Sequence, residues 1–215
     1  GLGAKSSRAV LGTTYFGDGI AEEEAFLLMD TFYSLGGNHL DTARSYADGK
    51  SEEIVGRWLK SRGHKDVFVG TKGGFPSPEA PLRMRLSEKE IRSDIEESLR
   101  ALQLEQVDFY WLHRDDENLP VEPLIDLLND FVREGKIRRF GASNWSGKRM
   151  KKAGEFARKV GLQGFSAGQI RFSPAIIREE PFGLVGMNSE EYRYIYRISR
   201  YLSTLETFFD TEDVM

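Results

Sequence analysis

The stretch from His39 to Leu59, HLDTARSYADGKSEEIVGRWL, changes character twice. It opens as a short apolar run that ends on an acid, Asp41. A polar turn follows, with Tyr46 inside it. The stretch then becomes a helix, read over residues 51–63. Ser51 is placed to cap the first turn, Glu52 and Glu53 suit the positive end of the helix dipole, and Gly63 suits the stop. Strand, polar turn and helix in this order make one βα unit.

The same unit recurs on both sides. Residues 9–17 (AVLGTTYFG) precede a helical pattern over 22–37, in which Ala25, Leu28, Met29 and Phe32 share a face and Gly36 suits a left-handed end. Residues 66–72 (DVFVGTK) lead to a helix that starts with Ser87 and Glu90 at capping-box spacing and carries Ile91, Ile95, Leu99 and Leu102. Residues 107–113 (VDFYWLH) lead to a helix with Pro123 near its start and Leu124, Leu127, Leu128 and Phe131 along it, ending near Gly135. Residues 138–144 (RRFGASN) precede a helix over 146–161, and residues 167–173 (AGQIRFS) form a sixth strand-like run.

Strands that alternate with helices need crossover connections, so the sheet is expected to be parallel and the class α/β. An open doubly wound sheet would show a glycine-rich phosphate turn after its first strand, which LGTTYFGDG lacks. That favours a barrel. The rhythm stops after Pro174. Residues 176–215 read as an irregular loop and one amphipathic helix, with Tyr192, Ile195, Tyr196, Leu202 and Leu205 on its stripe. No seventh or eighth strand is legible. The expectation is a single (β/α) barrel domain over 1–215, incomplete, with clear units over 9–175.

Composition narrows the class further. The chain has 215 residues, no cysteine and a net charge of −4; 40% of residues are hydrophobic and 30% charged. That describes an ordinary globular protein with one core. Without cysteine there is no disulfide framework and no thiolate metal site, and a cytoplasmic location is expected. No apolar run approaches the roughly 18–20 residues of a membrane helix. Mild acidity argues against nucleic acid as a partner. Three histidines without HExxH spacing do not read as a metal site.

In a barrel the chemistry lies at the C-terminal ends of the strands. Those ends carry Gly12 and Thr13, then Asp41, Lys72, His113, Ser143 with Asn144, and Gln169. Burying such groups is costly unless they pair. Asp41 and Lys72 can neutralise each other, and Tyr46 can lie against the Lys72 ammonium. A fixed cation favours a phenolate, which would make Tyr46 a tuned acid for a carbonyl oxygen, with His113 orienting the same oxygen. Each residue also has an ordinary use. Asp41 could close a turn, Lys72 could be solvated, His113 could be a satisfied structural histidine, and Ser143 with Asn144 could cap the fifth helix. Tyr15, Phe16, Arg44 and Trp145 suggest a partly aromatic pocket mouth.

Four segments in order, LDTARSYADGKSEEIVGRWL, TKGG, DFYWLHRDD and RFGASNW, resemble the aldo-keto reductases over residues 9–175. The resemblance implies a (β/α)₈ TIM barrel of which strands seven and eight are not seen here. It implies a catalytic tetrad of Asp41, Tyr46, Lys72 and His113, with Tyr46 as proton donor. It implies cofactor contacts from Asp41, Ser143, Asn144 and Gln169, NADPH as cofactor with NADH possible, no metal, and a small carbonyl compound as substrate. The alternative is a cofactor-binding regulatory subunit, or an inactive truncated member, on the same barrel. Oligomeric state is not legible.

Overall fold

A computed structural model describes residues 6–170. The expected loop and helix over 176–215, and with them the absence of a seventh and eighth strand, lie outside those residues. Six parallel strands stand in chain order: β1 (Val10–Gly12), β2 (His39–Asp41), β3 (Phe68–Gly73), β4 (Val107–Leu112), β5 (Ile137–Ser143) and β6 (Gly168–Gln169). Among the described residues five α-helices alternate with them: α1 (Glu22–Ser34), α2 (Lys50–Arg62), α3 (Glu88–Leu102), α4 (Glu122–Arg133) and α5 (Gly147–Val160).

The sheet curls. Flat parallel strands four positions apart would stand roughly 19 Å from each other. Gln169 on β6 nevertheless brings its side-chain Nε2 to 3.3 Å from Asp41 Oδ2 on β2. The six strands therefore form a curled half-barrel, the α/β architecture read from the sequence.

Strand alternation builds two apolar layers. Leu40, Val69, Tyr110, Leu112, Phe140 and Ala142 pack in one cluster with Ile54, Ile91, Ile95, Leu128 and Phe131 of the helices. Phe68, Phe109 and Trp111 form a separate cluster on the other side of the strands, with Ala167 against it. Along β3 and β4 the two sets differ by one residue, as a period of two requires.

Rings fill the inside so closely that β5 needs a glycine. A β-carbon on Gly141 would lie 2.5 Å from the Ala167 carbonyl oxygen, 2.6 Å from the Trp111 ring and 2.8 Å from the Phe109 ring. Gly141→Ala is expected to cost about 1–3 kcal/mol and lower Tm by roughly 2–12 °C. A thermal melt of the two proteins checks this, and an unchanged Tm would mean the rings have room to move.

The helices begin and end much as the sequence indicates, with two corrections. Ser87 and Glu90 make the reciprocal capping box of α3, and Gly63 and Gly36 take positive φ. Ser51 does not cap α2. Gly49, with φ 91°, holds that position, and the Ser51 hydroxyl donates instead to the Thr13 carbonyl at 2.9 Å. Leu28 does not join the core face of α1. Ala25 and Met29 are buried, whereas Leu28 is 40% exposed. No helix among the described residues is long and apolar enough to cross a membrane.

Candidate active site

Parallel register lines up the strand ends. Gly12 pairs with Asp41, Asp41 with Gly70, Lys72 with Trp111, and Ser143 with Gln169. Alternation then puts Asp41 and Lys72 on the same face of neighbouring strands. Lys72 Nζ donates to Asp41 Oδ2 at 2.7 Å and to the Thr42 carbonyl at 2.8 Å. The lysine side chain is 1% exposed and the aspartate 13%. A cation so far from water needs this pairing, because an isolated ammonium would not stay buried.

Tyr46 enters from the turn after β2. Lys72 Nζ stands 4.8 Å from the centre of its ring. The ring also meets His113 edge-on, with centroids 5.9 Å apart. His113 follows β4 and is fixed by its own backbone N–H, which donates to Gly73 at 2.8 Å. Its Nδ1 lies 3.5 Å from Ser45 Oγ. Asp41, Tyr46, Lys72 and His113 thus gather at one end of β2, β3 and β4.

Burial, reinforced by the positive charges of Lys72 and Arg114, pushes the His113 pKa well below the usual imidazole value. The ring is therefore neutral at neutral pH, with one N–H donor and one acceptor nitrogen. In an unfolded chain the imidazole takes up a proton near pH 6.5. The folded state resists that proton, so stability is complete above that pH and falls as pH drops from it toward the depressed folded value. In His113→Gln the fall in denaturant midpoint from about pH 7.5 to about pH 5.5 is expected to be smaller. An equal fall in both proteins would show that another group titrates.

Ser143, Asn144 and Gln169 sit together at the ends of β5 and β6. The Asn144 N–H donates to the Gln169 carbonyl at 3.0 Å, and Asn144 Nδ2 donates to Ser143 Oγ at 2.9 Å. Asn144 adopts φ 60°, and Gln169 reaches Asp41. None of them caps α5; Ser146 does, accepting from the Arg149 N–H at 3.4 Å. These amide and hydroxyl groups beside the Asp41–Lys72 pair suit a carboxamide-bearing ring: they can both donate to and accept from it. A buried carboxylate oxygen, Asp41 Oδ1, has no partner, so the site has spare acceptor capacity next to that position. A nicotinamide therefore fits the residues present. Among the described residues no group of three His, Cys, Asp or Glu side chains is placed to hold a metal ion.

The aromatic mouth needs correcting. Tyr15 is exposed, but Phe16 and Trp145 are buried in the main core, the indole N–H of Trp145 donating to the Arg114 carbonyl at 3.1 Å. Arg44 is tied to Glu52 and Glu97. The ring that does stand at the site is Phe75, 4.7 Å from His113, with the Arg114 guanidinium 5.0 Å from its centre. It follows TKGG in the β3–α3 connection, where a lone phenylalanine before a proline gives no periodic signal. Glu52 is the second residue missed. It looks like a helix-dipole acid but is fully buried, accepting from Thr71 Oγ1 at 2.6 Å. Burial raises its pKa, against the opposing pull of Thr71 and Arg44.

A family model described as "Aldo/keto reductase family" matches residues 8–187. An aryl-alcohol dehydrogenase of Pestalotiopsis microspora is 35% identical over 158 residues, covering 71% of this chain and 41% of that protein. An aryl-alcohol dehydrogenase [NADP(+)] of Phanerodontia chrysosporium is 32% identical over 161 residues, covering 70% and 42%. Norsolorinic acid reductase B of Dothistroma septosporum is 34% identical over 152 residues, covering 67% and 39%. The chain spans less than half the length of these three relatives.

Proposed function

The chain belongs to the aldo/keto reductase family, and from that premise we propose that it is an NAD(P)H-dependent oxidoreductase that reduces aldehydes or ketones to alcohols. The site is assigned to a single barrel domain, and NADPH is the preferred cofactor, supported by the relative whose name carries NADP(+). The observation that carries the reading is the convergence on Tyr46: a buried ammonium 4.8 Å from its ring and a neutral imidazole against its edge.

When bound, the nicotinamide supplies a hydride, the electron pair that the carbonyl carbon accepts. The protein's own residues manage the oxygen. His113, neutral, donates its N–H to the carbonyl oxygen and holds it beside Tyr46. Tyr46 Oη gives its proton to that oxygen as negative charge builds there, so carbon and oxygen each gain one hydrogen and an alcohol results. Lys72 stabilises the charge left on the phenol oxygen, acting at short range in a site with little water. Asp41 keeps Lys72 in place by the 2.7 Å contact. Ser143, Asn144 and Gln169 hold the carboxamide of the nicotinamide.

The relatives' names place aryl alcohols and norsolorinic acid among the compounds to try first. The test uses the full-length protein with NADPH and aryl aldehydes, following NADPH absorbance and the alcohol formed. Aldehyde-dependent NADPH oxidation with stoichiometric alcohol is the expected result. Tight NADPH binding with no turnover across an aldehyde panel would overturn the reading in favour of a cofactor-binding regulatory role.

A further inference from the structure

The turn that carries Tyr46 has a backbone most side chains resist. Ala47, Asp48 and Gly49 have φ of 50°, 55° and 91°. Left-handed residues that bear a β-carbon are uncommon singly, and two in succession persist only where the surroundings impose them.

Arg44 is the side chain positioned to impose this one. Its Nη1 meets Glu52 Oε2 at 3.1 Å, and its Nε meets Glu97 Oε2 at 3.0 Å. Glu52 also accepts from Thr71, the residue before Lys72, so a single buried carboxylate ties the guanidinium to β3. The Arg44 backbone N–H donates to the Lys72 carbonyl at 3.0 Å. The guanidinium itself fills the crook of the turn, since a β-carbon on Gly49 would lie 1.7 Å from Nη1. A planar fork can serve two carboxylates at fixed angles, which a lysine ammonium cannot.

We propose that Arg44, anchored by Glu52 and Glu97, is a positioning residue that clamps the strained turn after β2 in the conformation setting Tyr46 beside Lys72 and His113. This rests on the reading of Tyr46 as proton donor. The clamp never touches substrate; it fixes the angle at which the donor is offered.

Four variants of the full-length protein test this: Arg44→Met, Arg44→Lys, Ala47→Gly, and Arg44→Met combined with Ala47→Gly. Glycine adopts the left-handed conformation freely, so at position 47 it lets the turn keep its shape without the clamp. Arg44→Met is expected to lower kcat for an aryl aldehyde by roughly ten- to a hundredfold, since small misplacements carry such costs, while KM for NADPH stays unchanged. Amide exchange over residues 42–49 should speed up by at least about tenfold, as local opening becomes easier. The combined variant should recover part of both losses, and Arg44→Lys should behave like Arg44→Met. An Arg44 that merely stabilises the fold would lower Tm without the split between kcat and KM and without rescue by Ala47→Gly; that result overturns the proposal. Should Arg44→Met fail to fold, Glu97→Gln removes the partly exposed anchor and carries the same readouts. If the unsubstituted protein reduces no carbonyl, the donor reading fails, but the exchange measurement still decides the clamp: unchanged exchange over 42–49 in Arg44→Met rejects it.

Discussion

Tyr46→Phe is expected to reduce aryl aldehydes about 10²–10⁴ times more slowly than the parent protein, the range that a positioned proton donor contributes. Little else should change. The ring stays, and with it the edge contact to His113 and the face offered to the Lys72 ammonium. Within residues 6–170 no hydrogen bond involves the Tyr46 hydroxyl, so removing it orphans no partner. Tm should therefore hold, and NADPH binding, followed by quenching of intrinsic fluorescence, should keep its Kd. The substitution removes the acid alone, and a loss confined to kcat is the mark of an interaction made only in the transition state. Turnover near the parent rate would take the proton-donor role away from Tyr46. His113 would then be the next group to test, although its neutral ring is a poor acid at neutral pH.

The strand ends were legible because their signal is local. An acid, a lysine or a histidine that closes an apolar run must find a partner or water, and Asp41, Lys72 and His113 each do so at the end of a strand. The capping box of α3 was legible for the same reason, since both its partners lie within four residues. What failed depends on distant segments. Ser51 looks like a helix cap until the fold brings Thr13 to it from β1. Phe16 and Trp145 look like loop aromatics at an opening, yet each is drawn into the core by packing that no window of the chain contains. Glu52 and Glu53 are indistinguishable in sequence. Only the position of α2 over β3 buries Glu52 against Thr71 and Arg44 and leaves Glu53 in solvent. Leu28 fails by degree: it lies on the predicted stripe, but α1 is rolled so that Ala25 and Met29 take the contact.

Lys72→Met separates what the lysine does for the fold from what it does for the reaction. Removing the ammonium leaves Asp41 largely buried, its Oδ1 already without a partner and its Oδ2 facing only Gln169. Breaking a buried pair from one side costs about 3–5 kcal/mol, which for a chain of this length lowers Tm by roughly 6–20 °C. That is a large share of the roughly 5–15 kcal/mol that holds a typical domain folded. Turnover should be lost as well, because the charge that Tyr46 leaves behind has no cation near it. Adding Asp41→Asn changes only the first effect. The amide carries no charge to strand and still accepts from Gln169, so the double variant should regain all but about 1 kcal/mol, the bond that the Thr42 carbonyl loses. Its turnover should stay as low as that of Lys72→Met. Urea unfolding and NADPH oxidation measured on the same preparations give both axes. If activity returned with stability, Lys72 would be a structural counterion and the electrostatic account of the site would fail. If neither returned, Asp41 would hold more of the barrel interior together than its contacts to Lys72 and Gln169 explain.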